Sequence, residues 1–245
     1  MAELAGPGVL KTSAFGYDGK GQRKLQGDEN PQEVWQAFQA PRAILEGFIT
    51  FQAELSVMIA RNADGEVRCF DVVENHHRHH ILDLTIAPAP FAESVRQQAQ
   101  DIAAKIANAF DYIGIMGVEF FLTADQTLLV NEMAPRPHNS GHHTIDACAT
   151  SQFEQQLRAV CNMPLGSTRL LTPAVMLNLL GDMWPAIEQA PDWTPLLADG
   201  SAALHLYGKK RAIERRKMGH ATFLGDDALA RANAIKQSLL AKGKG

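Results

Sequence analysis

Two glutamates, Glu119 and Glu132, stand inside apolar runs that read Gly-Val-Glu-Phe-Phe and Leu-Val-Asn-Glu-Met. Both runs have the composition of strands, and Ala124-Asp125-Gln126 between them supplies a turn. A turn centred between Asp125 and Gln126 sets Glu119 directly opposite Glu132. Opposed side chains on one sheet face have Cβ atoms roughly 4.5–5.5 Å apart, and like charges so placed repel. A divalent cation converts that repulsion into a binding site. Magnesium takes a few carboxylate oxygens and fills its remaining positions from water and phosphates. Asn131, beside Glu132, offers an amide oxygen. The apolar neighbours argue that both glutamates are buried; two glutamates on a solvated sheet face is the alternative.

A second group could hold phosphate. Gly16-Tyr17-Asp18-Gly19-Lys20-Gly21-Gln22 has glycines that let backbone N–H groups curl around phosphate oxygens, with Lys20 adding charge. The spacing is neither that of a Walker A loop nor that of a dinucleotide fingerprint. The same composition also makes a flexible turn between strands. Arg136-Pro137-His138-Asn139-Ser140-Gly141-His142 directly follows the second glutamate run, and loops held at strand ends are favoured for substrate contacts. Lys209, Arg215, Arg216 and Lys217 gather positive charge that suits a phosphate ester, or else form a solvated turn. The histidines His76, His77, His79, His80, His138, His142 and His143 invite a zinc reading. Zinc needs three or four converging ligands, and adjacent histidines on a strand point to opposite faces. A polar strand end or loop is the expectation for the first four.

The elements that must position these groups are legible in outline. Pro7–Thr12 reads as a strand leading into the glycine segment. Asn30 caps a helix over Pro31–Gln39, with Pro31 at its first position and Val34, Trp35 and Phe38 on one face. Asn62-Ala63-Asp64-Gly65 joins two alternating runs as a hairpin. Val95, Ala99, Ile102 and Ile106 space a long amphipathic helix within Pro90–Tyr112. A hairpin over Ile115–Leu122 and Thr127–Met133 follows, then a helix over Ser151–Val160. Beyond a boundary near Arg169, strands are expected at Val175–Leu180, Ala202–Tyr207 and Ala221–Leu224, and a last helix at Ala228–Leu240.

Composition narrows the class. The chain has 245 residues, 46% of them hydrophobic, enough for one large α/β domain or two small ones. No run approaches the ~20 apolar residues of a membrane span, and the first residues do not read as a signal peptide. Three cysteines without C-x-x-C spacing point to a reducing cytoplasm. A net charge of −4 with one local basic cluster suits a small anion better than nucleic acid.

Lys11-Thr12, Gly16–Gln22, Glu46-Gly47-Phe48-Ile49, the run from Asn131 to His142, and Arg216-Lys217-Met218-Gly219-His220 occur in this order. Together they resemble 5-(carboxyamino)imidazole ribonucleotide synthase, the ATPase subunit of phosphoribosylaminoimidazole carboxylase, in the ATP-grasp superfamily. The resemblance covers Gly6 to about Leu240. It implies an α+β ATP-grasp fold of antiparallel sheets with helices over residues 1–168, then a small β-rich domain over 169–245. It implies ATP and Mg2+ as cofactors. Lys11 would contact phosphate under the loop Gly16, Tyr17, Asp18, Gly19, Lys20, Gly21 and Gln22. Glu46, Gly47, Phe48 and Ile49 would read adenine. Glu54 would hold the ribose hydroxyls, and His77, which matches the histidine of the family's Glu-Asn-x-His stretch, would also bind the nucleotide. Glu119 and Glu132 would hold magnesium, with Asn131 beside them. Tyr17, Asp18, Arg136, His138, Asn139 and Ser140 would line the site for 5-aminoimidazole ribonucleotide. Lys209 and Arg216 would take its 5′-phosphate, and Asp18, Lys20 and Arg136 would act in catalysis.

The implied reaction is ATP-dependent carboxylation of 5-aminoimidazole ribonucleotide with bicarbonate, in purine biosynthesis, by a possible homodimer. Family members begin with a further α/β domain that this sequence lacks, one carrying another ATP-contacting lysine. A truncated, non-catalytic nucleotide-binding fragment is therefore one alternative, and an ATP-grasp ligase for another purine intermediate is a second. Where the family commonly reads Arg-Asp-Gly-Ile-Leu, this chain has Arg78-His79-His80-Ile81-Leu82.

Overall fold

A computed structural model describes residues 6–13 and 21–242. The chain divides into two units, residues 1–51 with 78–81, and residues 52–77 with 82–245. In the first, β1 (Gly8–Thr12), β2 (Gln22–Leu25), α1 (Pro31–Phe38) and β3 (Ala43–Gly47) follow one another. The strands form an antiparallel sheet in the order β2-β1-β3. Leu10, Leu25 and Val34 make its small core, with Phe38, Ala43 and Leu45 packed around them. The Asn30 side chain caps α1 by accepting from the Gln32 N–H at 2.9 Å. Trp35 is exposed rather than packed. Val34 and Phe38, four residues apart, already cover the sheet, and Trp35 is turned about 100° from Val34.

The second unit contains β4 (Ala53–Arg61), β5 (Val67–Cys69), β6 (Val73–Arg78), β7 (Ile81–Ala87), α2 (Glu93–Ala109), β8 (Gly114–Leu122) and β9 (Leu128–Ala134). Short α3 (Thr144–Ala147) and α4 (Gln152–Val160) come next. They are followed by β10 (Ala174–Leu180), α5 (Thr194–Leu197), β11 (Ala202–Leu206), β12 (Lys217–Leu224) and α6 (Ala228–Lys242). Among the described residues these strands form one nine-stranded sheet, ordered β11-β12-β10-β7-β6-β4-β8-β9 with β5 on β4.

Alternation decides what each face does. Leu55, Val57 and Ile59 of β4 and Val118, Phe120 and Leu122 of β8 pack beneath α2, which contributes Val95, Ala99, Ala103 and Ala107. Burying each large apolar side chain contributes about 1.5–3 kcal/mol. A second core joins Val175, Leu177 and Leu179 of β10 to Ala221 and Phe223 of β12 under Ala228, Ala232 and Leu239 of α6.

β12 begins at Lys217, four residues before the strand expected at Ala221. Lys217-Met-Gly-His has weak strand character, but it is paired on both sides, by β10 and β11. Gly219 permits this: a Cβ there would stand 2.3 Å from the His205 carbonyl oxygen. His79 and His80, which turn β6 into β7, have φ of 53° and 64°. Two left-handed residues define the turn that Asp-Gly would fill with less strain. Among the described residues no helix is long and apolar enough to cross a membrane.

Candidate functional site

Residues directly opposed across antiparallel strands share a face. Glu54 of β4 faces Asn75 of β6, Ser56 faces Glu119 of β8, and Glu119 faces Glu132 of β9. Glu54, Ser56, Asn75, Glu119 and Glu132 thus form a polar band on the side of the sheet away from α2.

The expected opposition of Glu119 and Glu132 is present, though the hairpin reaches it differently. Near the turn, Leu122 faces Leu128 and Phe120 faces Val130, so the turn centres on Asp125 rather than beyond it. The register shifts between Phe120 and Glu119, with Asn131 as the extra residue on β9. Bulges of this kind re-aim side chains at functional edges. The expected burial holds for Glu119, whose side chain is 15% exposed. It fails for Glu132, which is exposed because β9 is the sheet's edge strand. Burial, then the charge of Glu132, pushes the Glu119 carboxyl up to about 7, against the opposing pull of His77 and Lys217. A carboxylate pair under that strain fits a divalent cation.

His138 lies over the pair, its Nε2 3.2 Å from Glu119 Oε1. Gly117 makes room for it, since a Cβ at that position would sit 3.0 Å from the His138 Cβ. Burial first, then the charges of Arg136 and Lys217, hold His138 down to about 4, so the ring is neutral. The polar loop is pinned by Gln152 at the start of α4. Its Oε1 accepts from the His138 N–H at 2.8 Å, and its Nε2 reaches both the His138 carbonyl and His142 Nδ1 at 2.8 Å.

Glu54 and His77 are hydrogen-bonded neighbours on β4 and β6. Burial alone would lower His77, but the bond and charge of Glu54, with Glu119 beyond, leave it raised. The other histidines of that run diverge: His76 pairs with Glu74 at 2.9 Å, and His79 and His80 occupy the turn.

Lys209 and Arg216 are brought near each other but are engaged locally. Lys209 Nζ donates to the Lys217 carbonyl at 2.6 Å and Arg216 to the Arg211 carbonyl at 3.0 Å. Burial, then Arg216 and Lys217, hold the Lys209 ammonium below its ordinary value. Within the basic cluster, Lys217 is the member whose charge bears on the site, lowering Glu119 as well as His77, His138 and His142. Asp146, His205 and His220 also converge within 4.8 Å. The His205 and His220 rings are stacked at 4.5 Å, so one ion could not lie in both ring planes without a ring rotation.

In the first unit, Lys11 Nζ pairs with Glu46 Oε2 at 2.7 Å. The Phe48 N–H is given to the Pro7 carbonyl at 2.9 Å, and Gly47 ends β3 opposite Gly8, with Ile49 just beyond. Gly21 and Gln22 close the turn onto Thr12 and Lys11. Gly16, Tyr17, Asp18, Gly19 and Lys20 lie outside the described residues. Gln152, Ser56, Asn75 and Thr85 were not singled out as site residues in the sequence, and Lys217 was read there only as a member of the basic cluster. The readable signal was the polar Ser56 and Asn75 inside otherwise apolar strands.

Antiparallel sheets with helices, and a polar band carrying opposed glutamates beneath a loop, define an α+β ATP-grasp architecture with a smaller β-rich C-terminal part. The ATP-grasp domain family matches residues 1–153, and the phosphoribosylaminoimidazole carboxylase C-terminal domain family matches residues 174–234. The chain belongs to the ATP-grasp family. It is 46% identical over 224 residues to the N5-carboxyaminoimidazole ribonucleotide synthase of Bacillus subtilis, covering 91% of this chain and 58% of that protein. It therefore spans less than two thirds of that relative's length. An ADP complex of an N5-carboxyaminoimidazole ribonucleotide synthetase superposes with a TM-score of 0.85 at 41% identity, over 100% of this chain and 64% of the other. The Aspergillus clavatus enzyme, solved with ADP and 5-aminoimidazole ribonucleotide, gives 0.79 at 31% identity over 99% and 63%.

Proposed function

We propose that this chain carries the cation and substrate face of a ligase that uses ATP to carboxylate 5-aminoimidazole ribonucleotide with bicarbonate. The observation that carries this reading is the register that opposes Glu119 to Glu132 directly beneath His138. Relatives solved with ADP and with 5-aminoimidazole ribonucleotide support the nucleotide and the substrate. Glu119 and Glu132, with Asn131 beside them, would hold Mg2+, which when bound neutralises charge on the phosphates.

The chemistry starts from an unreactive electrophile. A bicarbonate oxygen attacks the γ-phosphorus, the bond to ADP breaks, and carboxyphosphate forms. The exocyclic amine of the ribonucleotide then bonds to the carboxyl carbon, or to the CO2 that carboxyphosphate releases. Inorganic phosphate leaves and the amine loses a proton. Lys11 and the loop Gly16–Gln22 hold phosphates, and Glu46–Ile49 with Glu54 and His77 hold the nucleoside. Arg136, His138 and Asn139 line the acceptor, with Lys209 and Arg216 on its 5′-phosphate; Ser140, expected beside them, is fully buried against Ser56 and His138. Asp18, Lys20 and Arg136 act on the reacting groups by positioning and charge stabilisation. Lys217 joins them, because its charge already bears on Glu119 and His138.

The division near Arg169 is read as the boundary between the ATP-grasp part and the C-terminal part. A homodimer is supported by the exposed Phe153, Leu157 and Val160, which align on one face of α4. Light scattering at twice the chain mass is the expected result. Three free cysteines fit a reducing cytoplasm.

ADP release measured with ATP, Mg2+, bicarbonate and 5-aminoimidazole ribonucleotide tests the main reading. ADP formation that depends on the ribonucleotide is expected. Intact ATP binding with no such ADP would favour a non-catalytic nucleotide-binding fragment, a reading that the chain's 58% share of its relative's length keeps in view.

A further inference from the structure

A row of buried hydrogen bonds runs across the polar band and ends on His138, whose Nε2 lies 3.2 Å from Glu119 Oε1. Thr85 Oγ1 donates to Asn75 Oδ1 at 3.0 Å, and Asn75 Nδ2 donates to Ser56 Oγ at 2.8 Å. Ser56 Oγ donates to Ser140 Oγ at 2.8 Å, and Ser140 Oγ lies 2.9 Å from His138 Nδ1. Thr85, Ser56 and Ser140 are fully buried, and Asn75 nearly so. Burying hydroxyls and an amide costs free energy unless each finds partners, and here each one does.

The direction of the row is set at His138. This residue caps the 3-10 turn Asn139–Gly141, and its Nδ1 accepts from the Ser140 N–H at 3.4 Å. A nitrogen that accepts from an N–H carries no proton itself. The reversed row would set an Nδ1 proton against that N–H, donor against donor. The ring proton therefore sits on Nε2, which faces Glu119 Oε1.

We propose that Thr85, Asn75, Ser56 and Ser140 are positioning residues that act through His138. They hold the ring in its Nε2–H form, so that a proton rather than a lone pair stands toward Glu119 Oε1 and the other oxygen is left for a cation. The inference rests on reading Glu119 and Glu132 as cation ligands. It gives His138 a role toward the carboxylate in addition to any contact with substrate. Ligand-orienting partners of this kind typically change metal affinity 10–100-fold when removed.

Two measurements test it. Long-range 1H–15N correlation spectra of 15N-histidine-labelled protein, assigned with His138→Gln, should show His138 neutral with its proton on Nε2. A proton on Nδ1 in the wild-type protein would overturn the proposal, whatever the variants do. Mn2+ binding followed by electron paramagnetic resonance should weaken about 10-fold in Ser140→Ala and in Ser56→Ala, with mixed His138 tautomers and unchanged circular dichroism. Thr85→Val, furthest from the carboxylate, should weaken it least. Glu132→Gln separates the two layers of the argument. If it weakens Mn2+ binding while folded Ser140→Ala and Ser56→Ala do not, the positioning role fails alone. If it too leaves Mn2+ binding intact, the cation reading fails and takes the proposal with it.

Discussion

The carboxylate end and the basic end of the candidate site are built on different kinds of backbone. Glu119 and Glu132 stand on paired strands of one sheet, and Gln152 pins the loop above them at three atoms. Lys209 and Arg216 sit just before β12 and spend their donors on neighbouring carbonyls. The first end is assembled before any ligand arrives and carries the repulsion that follows. On the proposed function, the second would exchange local hydrogen bonds for a phosphate. Pre-organised electrostatics act most strongly where reorganisation is already complete, so the carboxylate end should dominate affinity for cation and nucleotide. The basic end should tune affinity for substrate.

The largest test of that contrast is Glu132→Gln. Mn2+ binding should fall by more than the roughly 100-fold that outer partners can cost, as read by paramagnetic resonance. A loss of only a few-fold would show that the carboxylates are not the centre of the site. Next, Lys217→Ala should weaken both Mg2+-nucleotide and ribonucleotide binding, since its charge reaches the carboxylate end. Lys209→Ala should weaken only the ribonucleotide, by about 10-fold for one charge-assisted hydrogen bond. Calorimetric titrations of each ligand separate the two outcomes, and equal effects would erase the distinction.

The pH dependence follows from the same strain. Glu119 titrates near 7 when folded against 4.5 ordinarily, so the folded state holds the extra proton between those values. Its contribution therefore falls as pH rises from 4.5 to about 7. In metal-free urea melts, Glu119→Gln should gain on the order of 2 kcal/mol at pH 8 and almost nothing at pH 4. The neutral buried histidines run the other way. Burial, with the charges of neighbouring groups, lowers His138 and His142 to about 4, and burial lowers His143 to about 4. Burial, then His142 and His205, lowers His220 to about 3. Their stabilisation is complete above pH 6.5 and is lost as pH falls toward 4. Chemical melts of the wild-type protein across that window should show the loss, and a flat profile would contradict their neutral state.

The smallest effect is expected at the turn between β6 and β7. His80→Gly should stabilise the protein by about 1 kcal/mol by relieving a left-handed histidine, with nucleotide binding unchanged.

Much of this was legible from local signals. Asn30 capping α1, the helix that became α2, and the strands β8 and β9 all follow from residue type and spacing. So does the cation-binding potential of two glutamates in apolar runs. Other features were not legible, for specific reasons. The burial of Glu132 failed because edge position belongs to the whole sheet. The start of β12 was missed because pairing on both sides outweighs the weak propensity of Lys217-Met-Gly-His. Gln152 gave no local sign, because its partners His138 and His142 lie in a separate loop. The bearing of Lys217 on Glu119 follows from the place of β12 in the sheet, not from the basic cluster.

Taken alone, the sequence determined which residues could carry charge and phosphate chemistry, and in what order along the chain. Those properties reside in side-chain type and short-range periodicity. Tertiary structure decided which of them meet. The bulge at Asn131 supplies the register that opposes Glu119 to Glu132, and the turn capped by His138 chooses where its ring proton sits. The first depends on pairing between two strands, and the row behind His138 is closed by Ser56, 84 residues from Ser140, a contact that no window along the chain contains.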